Sequence, residues 1–242
     1  ETGFMRARMN NRWFFPFNPS EVNFNYTEAN AWQYSYSVPH DVNGWMKLLG
    51  GSDALSSKLD DLFTAQSETS GRDQVDITGL IGQYAHGNEP SHHIAYLYNF
   101  VGEAHKTQAI TRQIMEDLYT SSSDGYSGNE DCGQMSAWLV LSSLGFYPVT
   151  PGSESYIIGS PWFDKAEINL ENGKTFTIIA ENNGDDNVYI QDISLNSKPY
   201  TQSYLTHKMI KDGSTFNINM GSAPSAFGAK EEDRPVTEIL SK

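Results

Sequence analysis

At residues 145–152 the spacing of apolar side chains changes from a helical period to a period of two, and this change bounds the fold. Before it, Leu55, Leu59, Leu62 and Phe63 share one helical face, and Thr107, Ile110, Ile114 and Leu118 share another. Pro148, Pro151 and Gly152 break the pattern. After them the stretches 156–158, 166–170, 176–180, 188–190 and 216–220 alternate as strands do. Asn172-Gly173 and Asp212-Gly213 supply hairpin turns, so the second region reads as an antiparallel β unit. The expected class is α+β, with a helical region over 1–150 and a β-rich region over 151–242.

Within the helical region, a short helix from Thr27 carries Trp32 and Tyr36 and stops at Val38, because the residue before a proline disfavours the α conformation. Asp41 is placed to cap the next helix, whose apolar face is Val42, Trp45, Met46 and Leu49 and which Gly50-Gly51 ends. Ser52 starts a third helix. Short connections of this kind imply antiparallel helical hairpins. Ile94, Leu97, Tyr98 and Val101 predict a helix with one buried face, entered through Pro90. Residues 133–144 are apolar nearly all round and predict an inner helix. Residues 66–78 and 120–129 are polar loops, and Lys230-Glu-Glu-Asp-Arg-Pro reads as a poorly ordered tail.

Composition removes some functions. The formal net charge of −14 argues against nucleic acid or an anionic membrane surface as partner. No apolar run is long enough to span a bilayer, so no membrane span is expected. Cys132 is the only cysteine, which rules out an internal disulfide. It reads as a small buried residue, since no neighbouring base would activate it. Trp13 and Phe15 read mainly as core packing, with stacking on a pyranose face as the alternative.

Three blocks hold the chemistry: Tyr26-Thr-Glu-Ala-Asn-Ala-Trp-Gln-Tyr34 followed by Val38-Pro-His-Asp41, then His86-Gly-Asn-Glu-Pro-Ser-His-His93, then Ser127-Gly-Asn-Glu-Asp-Cys-Gly-Gln-Met-Ser-Ala-Trp138. In the second, an imidazole, an amide, a carboxylate and a hydroxyl crowd a helix entrance. Dense oxygen donors suit a hard cation or a sugar; a solvated N-cap loop is the competing explanation.

In this order the blocks closely resemble the catalytic domain of glycoside hydrolase family 92, the calcium-dependent exo-acting α-mannosidases, over nearly the whole chain. The resemblance implies the C-terminal part of an (α/α)6 barrel, with an N-terminal β-sandwich and the other barrel half lying outside this chain. It implies inverting hydrolysis of terminal α-linked mannose from glycans such as N-glycans, with α-1,2 the expected linkage, and a bacterial enzyme that is periplasmic, at the cell surface or secreted. Glu28 would be the general acid, its proton held by partial desolvation among Tyr26, Trp32 and Tyr34. Asp131 would be the general base. The family often has a second acid two positions earlier, where Asn129 stands here, so Glu130 either shares the task or Asp131 acts alone. Asn88, Glu89 and Asp131 would ligate Ca2+. Zinc is the rival cation, given His86, His92 and His93, though no His-Glu-x-x-His pattern is present. Sugar contacts would come from Trp32, Gln33, His40, Asp41, His86 and Glu130.

Plainer roles stand beside these. Glu28 fits a helix N-terminus, Asp131 or Glu130 fits a cap on the 133–144 helix, and His40 with Asp41 fits a helix junction. Two other functions stay open: a carbohydrate-binding fragment without turnover, and an (α/α) barrel glycosidase that needs no metal.

Overall fold

The structure is a computed structural model that describes residues 2–237. Its helical region holds α1 (Ala31–Tyr34), α2 (Val42–Leu49), α3 (Ser52–Thr64), α4 (Ala104–Leu118) and α5 (Gln134–Ser143). Asp41 caps α2 by accepting the Gly44 N–H at 2.9 Å, and Gly50, at φ 112°, ends it in the left-handed region. The stripe from Ile94 forms a 3₁₀ helix, Ile94–Val101, with all eight residues buried and not just one face. It runs between α2, α3 and α4, and it touches the strand Ser155–Ile158, so no side is left for solvent.

Short strand pairs frame this region: β1 (Arg8–Met9) with β2 (Arg12–Trp13), β3 (Glu21–Val22) with β4 (Ser70–Gly71), and β5 (Leu80–Ile81) with β6 (Tyr84–Ala85). Beyond α5 follow β7 (Phe146–Tyr147), β8 (Ser155–Ile158), β9 (Lys165–Asn169), β10 (Thr175–Glu181), β11 (Tyr189–Leu195), β12 (Lys198–Tyr200), β13 (Tyr204–Thr206), α6 (His207–Lys211) and β14 (Thr215–Gly221). β13, β8 and β7 make a three-stranded sheet, and β12-β11-β14-β10-β9 a five-stranded one.

The larger sheet is mixed, which corrects the antiparallel expectation. β14 enters between β11 and β10 and runs parallel to β10, Thr177 opposite Thr215 and Glu181 opposite Asn219. The Asn172-Gly173 turn does join β9 to β10. Asp212-Gly213 instead closes α6, Gly213 N–H bonding the Ile210 carbonyl at 2.9 Å with φ at 74°. A glycine at positive φ serves a helix end as well as a hairpin, so that dipeptide was ambiguous.

Two apolar clusters form. One gathers Tyr36, Leu55, Tyr96, Leu97 and Trp138, and the other Phe146, Phe176, Ile190, Phe216 and Ile218. Leu141 borders both, and β8 gives Ile157 to the first and Ile158 to the second. Buried Asn99 stitches the 3₁₀ helix to this seam by donating to the Ile158 and Ser203 carbonyls, each at 2.9 Å.

Other expectations are corrected here. Phe15 is 84% exposed and Trp13 about half exposed, so neither packs in a core. Their hairpin is too short to fold its own aromatics inward. The inner-helix expectation for α5 is not overturned: α5 buries Met135 and Trp138 and leaves Val140 58% exposed, and an inner helix of a part-barrel is expected to be open on one side. The 230–235 stretch is ordered by bonds to residues 201–203, between β12 and β13: Thr201 donates to the Asp233 carboxylate, and the Asp233 carbonyl accepts from Ser203. Thr237 then pairs with Asn43 at the start of α2. No helix among the described residues is long and apolar enough to cross a membrane.

Candidate active site

Glu28 stands two residues ahead of Asn30, the true cap of α1, whose side chain accepts from the Trp32 and Gln33 N–H groups. Glu28 is therefore outside the first turn, which removes the helix-end explanation of it. Asn30 also donates to Gln83 Oε1 at 2.9 Å, and Gln33 donates to the Gln83 carbonyl. Gln83 immediately precedes β6, which delivers residues 86–89, so these buried amides lock the first block to the second.

The second and third blocks meet at glycines. A Cβ on Gly128 would stand 2.6 Å from the Gly87 carbonyl oxygen, and one on Gly87 would stand 3.0 Å from the Ser127 oxygen. Only hydrogen lets these two backbones cross so closely. The tripeptide Gly-Asn-Glu occurs at both crossings, 87–89 and 128–130. This repetition was the signal in the sequence that the two loops belong together.

Beyond the crossing, Glu89 opens a 3₁₀ turn, Glu89–Ser91, with Pro90 inside it. Its carboxyl lies within hydrogen-bonding reach of Asp131 and within Coulomb range of Glu28. Desolvation, then these carboxyl neighbours, push the Glu89 pKa above the ordinary glutamate value, against the pull of a backbone hydrogen bond. Asp131 itself is exposed and adopts φ 52°, followed by Cys132 at 58° and Gly133 at 99°. Cys132 is exposed too, which overturns the buried reading: the left-handed turn lifts it off the body.

The structure gives most of the expected sugar contacts other partners. His86 is fully buried, its Nδ1 bonded to the Tyr84 hydroxyl at 2.8 Å and its Nε2 to the Tyr119 hydroxyl at 2.7 Å. Its ring centroid is 4.3 Å from that of Trp138. With both nitrogens engaged and no exposed edge, it cannot reach a sugar hydroxyl. His92 and His93 are also spent in the core, on the His86 and Tyr36 carbonyls at 2.9 and 2.8 Å. His86 and His92 have both ring nitrogens engaged, His92 Nδ1 meeting Gln134 Nε2 at 3.1 Å, so zinc at these two would have to displace core hydrogen bonds. Gln33 is buried under Gln83, and Asp41 is the α2 cap beside exposed His40. Trp32 turns its Nε1 to Ser20 and meets Phe4 edge-on at 4.7 Å, while Tyr26 and Tyr34 pack on each other. Glu130 spends both oxygens on its own loop, accepting from Gly133 N–H at 2.6 Å and Ser136 Oγ at 2.7 Å. These bonds lower its pKa and leave it ill suited to bind sugar or to share the base role.

The donor set fits a hard divalent cation. Glu89 and Asp131 are neighbouring carboxyl groups, and Asn88 is 2% exposed with its Nδ2 lacking a partner. A half-turn of that amide exchanges nitrogen for oxygen, which is the atom a cation would take. No group of three or more His, Cys, Asp or Glu forms a ready metal cage among the described residues. Carbonyls, water or sugar hydroxyls would complete the coordination shell. Residues 120–126 and 128–130, the last adjoining Asp131 in the chain, line an open polar cleft of about 650 Å³ whose lining includes none of Glu28, Glu89 and Asp131.

Carboxyl groups converging from separate loops, on an aromatic base and next to a polar cleft, are the equipment of a carbohydrate-cleaving hydrolase. The sequence profile of the glycosyl hydrolase family 92 catalytic domain matches residues 1–222, and the chain belongs to this family. It superposes with a TM-score of 0.89 on the family GH92 α-mannosidase BT3965 from Bacteroides thetaiotaomicron in complex with mannoimidazole, at 38% identity, covering 97% of this chain and 32% of that one. The family GH92 inverting mannosidase BT2199 of the same species gives 0.84 at 38% identity, covering 96% and 33%. An uncharacterized secreted glycosidase of Arthroderma benhamiae is 29% identical over 211 residues, which are 86% of this chain and 25% of that protein. The chain thus spans about a third of the length of the solved relatives and a quarter of the curated one.

Proposed function

We propose that this chain is the acid-, base- and metal-bearing part of an exo-acting α-mannosidase that removes terminal α-linked mannose from glycans with inversion. The observation that carries the reading is that Glu89, from the second block, has Asp131 of the third and Glu28 of the first among the carboxyl neighbours that raise its pKa. The two mannosidases of known structure that the chain resembles support the substrate class.

Glu28 donates a proton to the departing glycosidic oxygen. Asp131 accepts a proton from the water that attacks the anomeric carbon from the opposite face, so the bond forms as the other breaks and the configuration inverts. The exposed position of Asp131 admits that water. Asn88, Glu89 and Asp131 would hold Ca2+, which when bound supplies Lewis-acid and orienting interactions to the sugar hydroxyls. α-1,2 is the proposed linkage. The helices form the C-terminal part of an (α/α)6 barrel, and the remaining half, with a β-sandwich, covers the open side of α5. Export to the periplasm, cell surface or medium accords with the secreted fungal relative.

Proton NMR of mannobiose hydrolysis by the intact protein tests this reading. β-Mannose should be the first product, EDTA should abolish its release, and added Ca2+ should restore it; the α-1,2 dimer should be cleaved fastest. First release of α-mannose would refute inversion. Turnover that survives chelation would favour a metal-free barrel glycosidase, and sugar binding without turnover a lectin-like fragment.

A further inference from the structure

Asp131, a neighbour of the Glu89 carboxyl, opens a run of three consecutive residues, 131–133, with positive φ, a conformation that residues other than glycine adopt at a cost. The loop contains one group that fixes this turn. The Glu130 carboxylate brackets it, one oxygen accepting the Gly133 N–H at 2.6 Å and the other the Ser136 hydroxyl at 2.7 Å and, more weakly, the Ser136 N–H at 3.4 Å. These donors lie on the far side of the turn from Glu130, so the carboxylate spans the strained residues. Main-chain bonds complete the bracket, from Gln134 N–H to the Asp131 carbonyl and from Met135 N–H to the Glu130 carbonyl, both 3.2 Å. Ser136 Oγ is itself bonded to the Tyr126 hydroxyl at 2.7 Å, which ties the bracket to the cleft-lining loop. The Asp131 side chain, unlike its carbonyl, takes no part in this bracket and neighbours the Glu89 carboxyl.

We propose that Glu130 is a positioning residue: its carboxylate holds the 131–133 turn left-handed so that the Asp131 carboxyl stands at the Glu89 side of the site. The inference rests on the reading of Asp131 as the base. Misplacing a base affects the transition state and not ground-state binding, so the change belongs in kcat.

The test compares Glu130→Ala, Glu130→Gln, Ser136→Ala and Asp131→Asn in the intact protein. Glu130→Ala should lower kcat about 10–100-fold, as loss of a supporting partner does, with KM little changed. Glu130→Gln keeps one acceptor oxygen and should recover part of the loss, and Ser136→Ala should give a smaller loss of the same kind. If Glu130 only caps α5, Tm falls while kcat of the folded enzyme is unchanged. If it binds sugar directly, KM rises. Either result overturns the proposal, and should Glu130→Ala fail to fold, Ser136→Ala decides by the same split. Wild-type turnover in Asp131→Asn would instead sink the base assignment and this inference together. An inactive Asp131→Asn beside a fully active Glu130→Ala would sink this inference alone.

Discussion

Glu28→Gln and Asp131→Asn should each lower kcat by about 10²–10⁴-fold, the usual worth of a positioned acid or base, and should leave Tm nearly unchanged. Neither carboxyl is among the buried polar groups of the fold, so replacing it breaks no core hydrogen bond. The two losses should differ in kind. A substrate with a good leaving group, such as a dinitrophenyl mannoside, needs little protonation, so it should restore much of the Glu28→Gln rate and none of the Asp131→Asn rate. Steady-state kinetics on that substrate and on mannobiose separate the roles. Near-normal turnover of mannobiose by either variant removes that residue from its assigned task.

The second large effect is on stability. His92 and His93 are buried, and desolvation pushes both pKa values down to about 4; His86, fully buried, lies well below its ordinary value for the same reason. In the unfolded chain these imidazoles titrate near about 6.5. Folding therefore favours the neutral form. The stability it gains is fully present above the unfolded pKa, declines as pH falls through the window from 6.5 to about 4, and is gone below it. Lowering the pH from 7 to 5 should cost on the order of 2 kcal/mol per histidine. Urea unfolding of the intact protein at the two pH values checks this, and His93→Gln should remove about one proton from the pH slope. Equal stability at pH 7 and 5 would contradict the burial of neutral imidazoles.

Features encoded over a few residues could be read directly from the chain. Asp41, Gly50-Gly51 and Asn172-Gly173 each act on neighbours within four positions, and they cap, stop and turn the backbone as expected. β9, β10 and β14 were legible because their burial alternates strictly, whereas the bulge in β11 and the brevity of β7, β12 and β13 hid those strands in part or whole. The parallel pairing of β10 with β14 was not, since it depends on where the chain returns after β12, β13 and α6. Within the site, the three blocks were recognisable, and the crossing at Gly87 and Gly128 explains why they meet. The histidines misled. A histidine beside an asparagine and a glutamate suggests a ligand or a sugar contact, yet His86 is held by Tyr84 and by Tyr119, 33 positions away, and supports the loop from beneath. Glu130 misled for the opposite reason: its partners are only three and six residues on, but they use up the carboxylate that composition alone offered to the substrate.

A crystal structure of the intact protein with Ca2+ and mannoimidazole tests the convergence most directly. The sugar ring should lie between the Glu28 and Asp131 carboxyls, roughly 6.5–9.5 Å apart as inversion requires, with the cation on Asn88, Glu89 and Asp131. A ring bound away from either carboxyl, or a cation on other residues, would contradict the account.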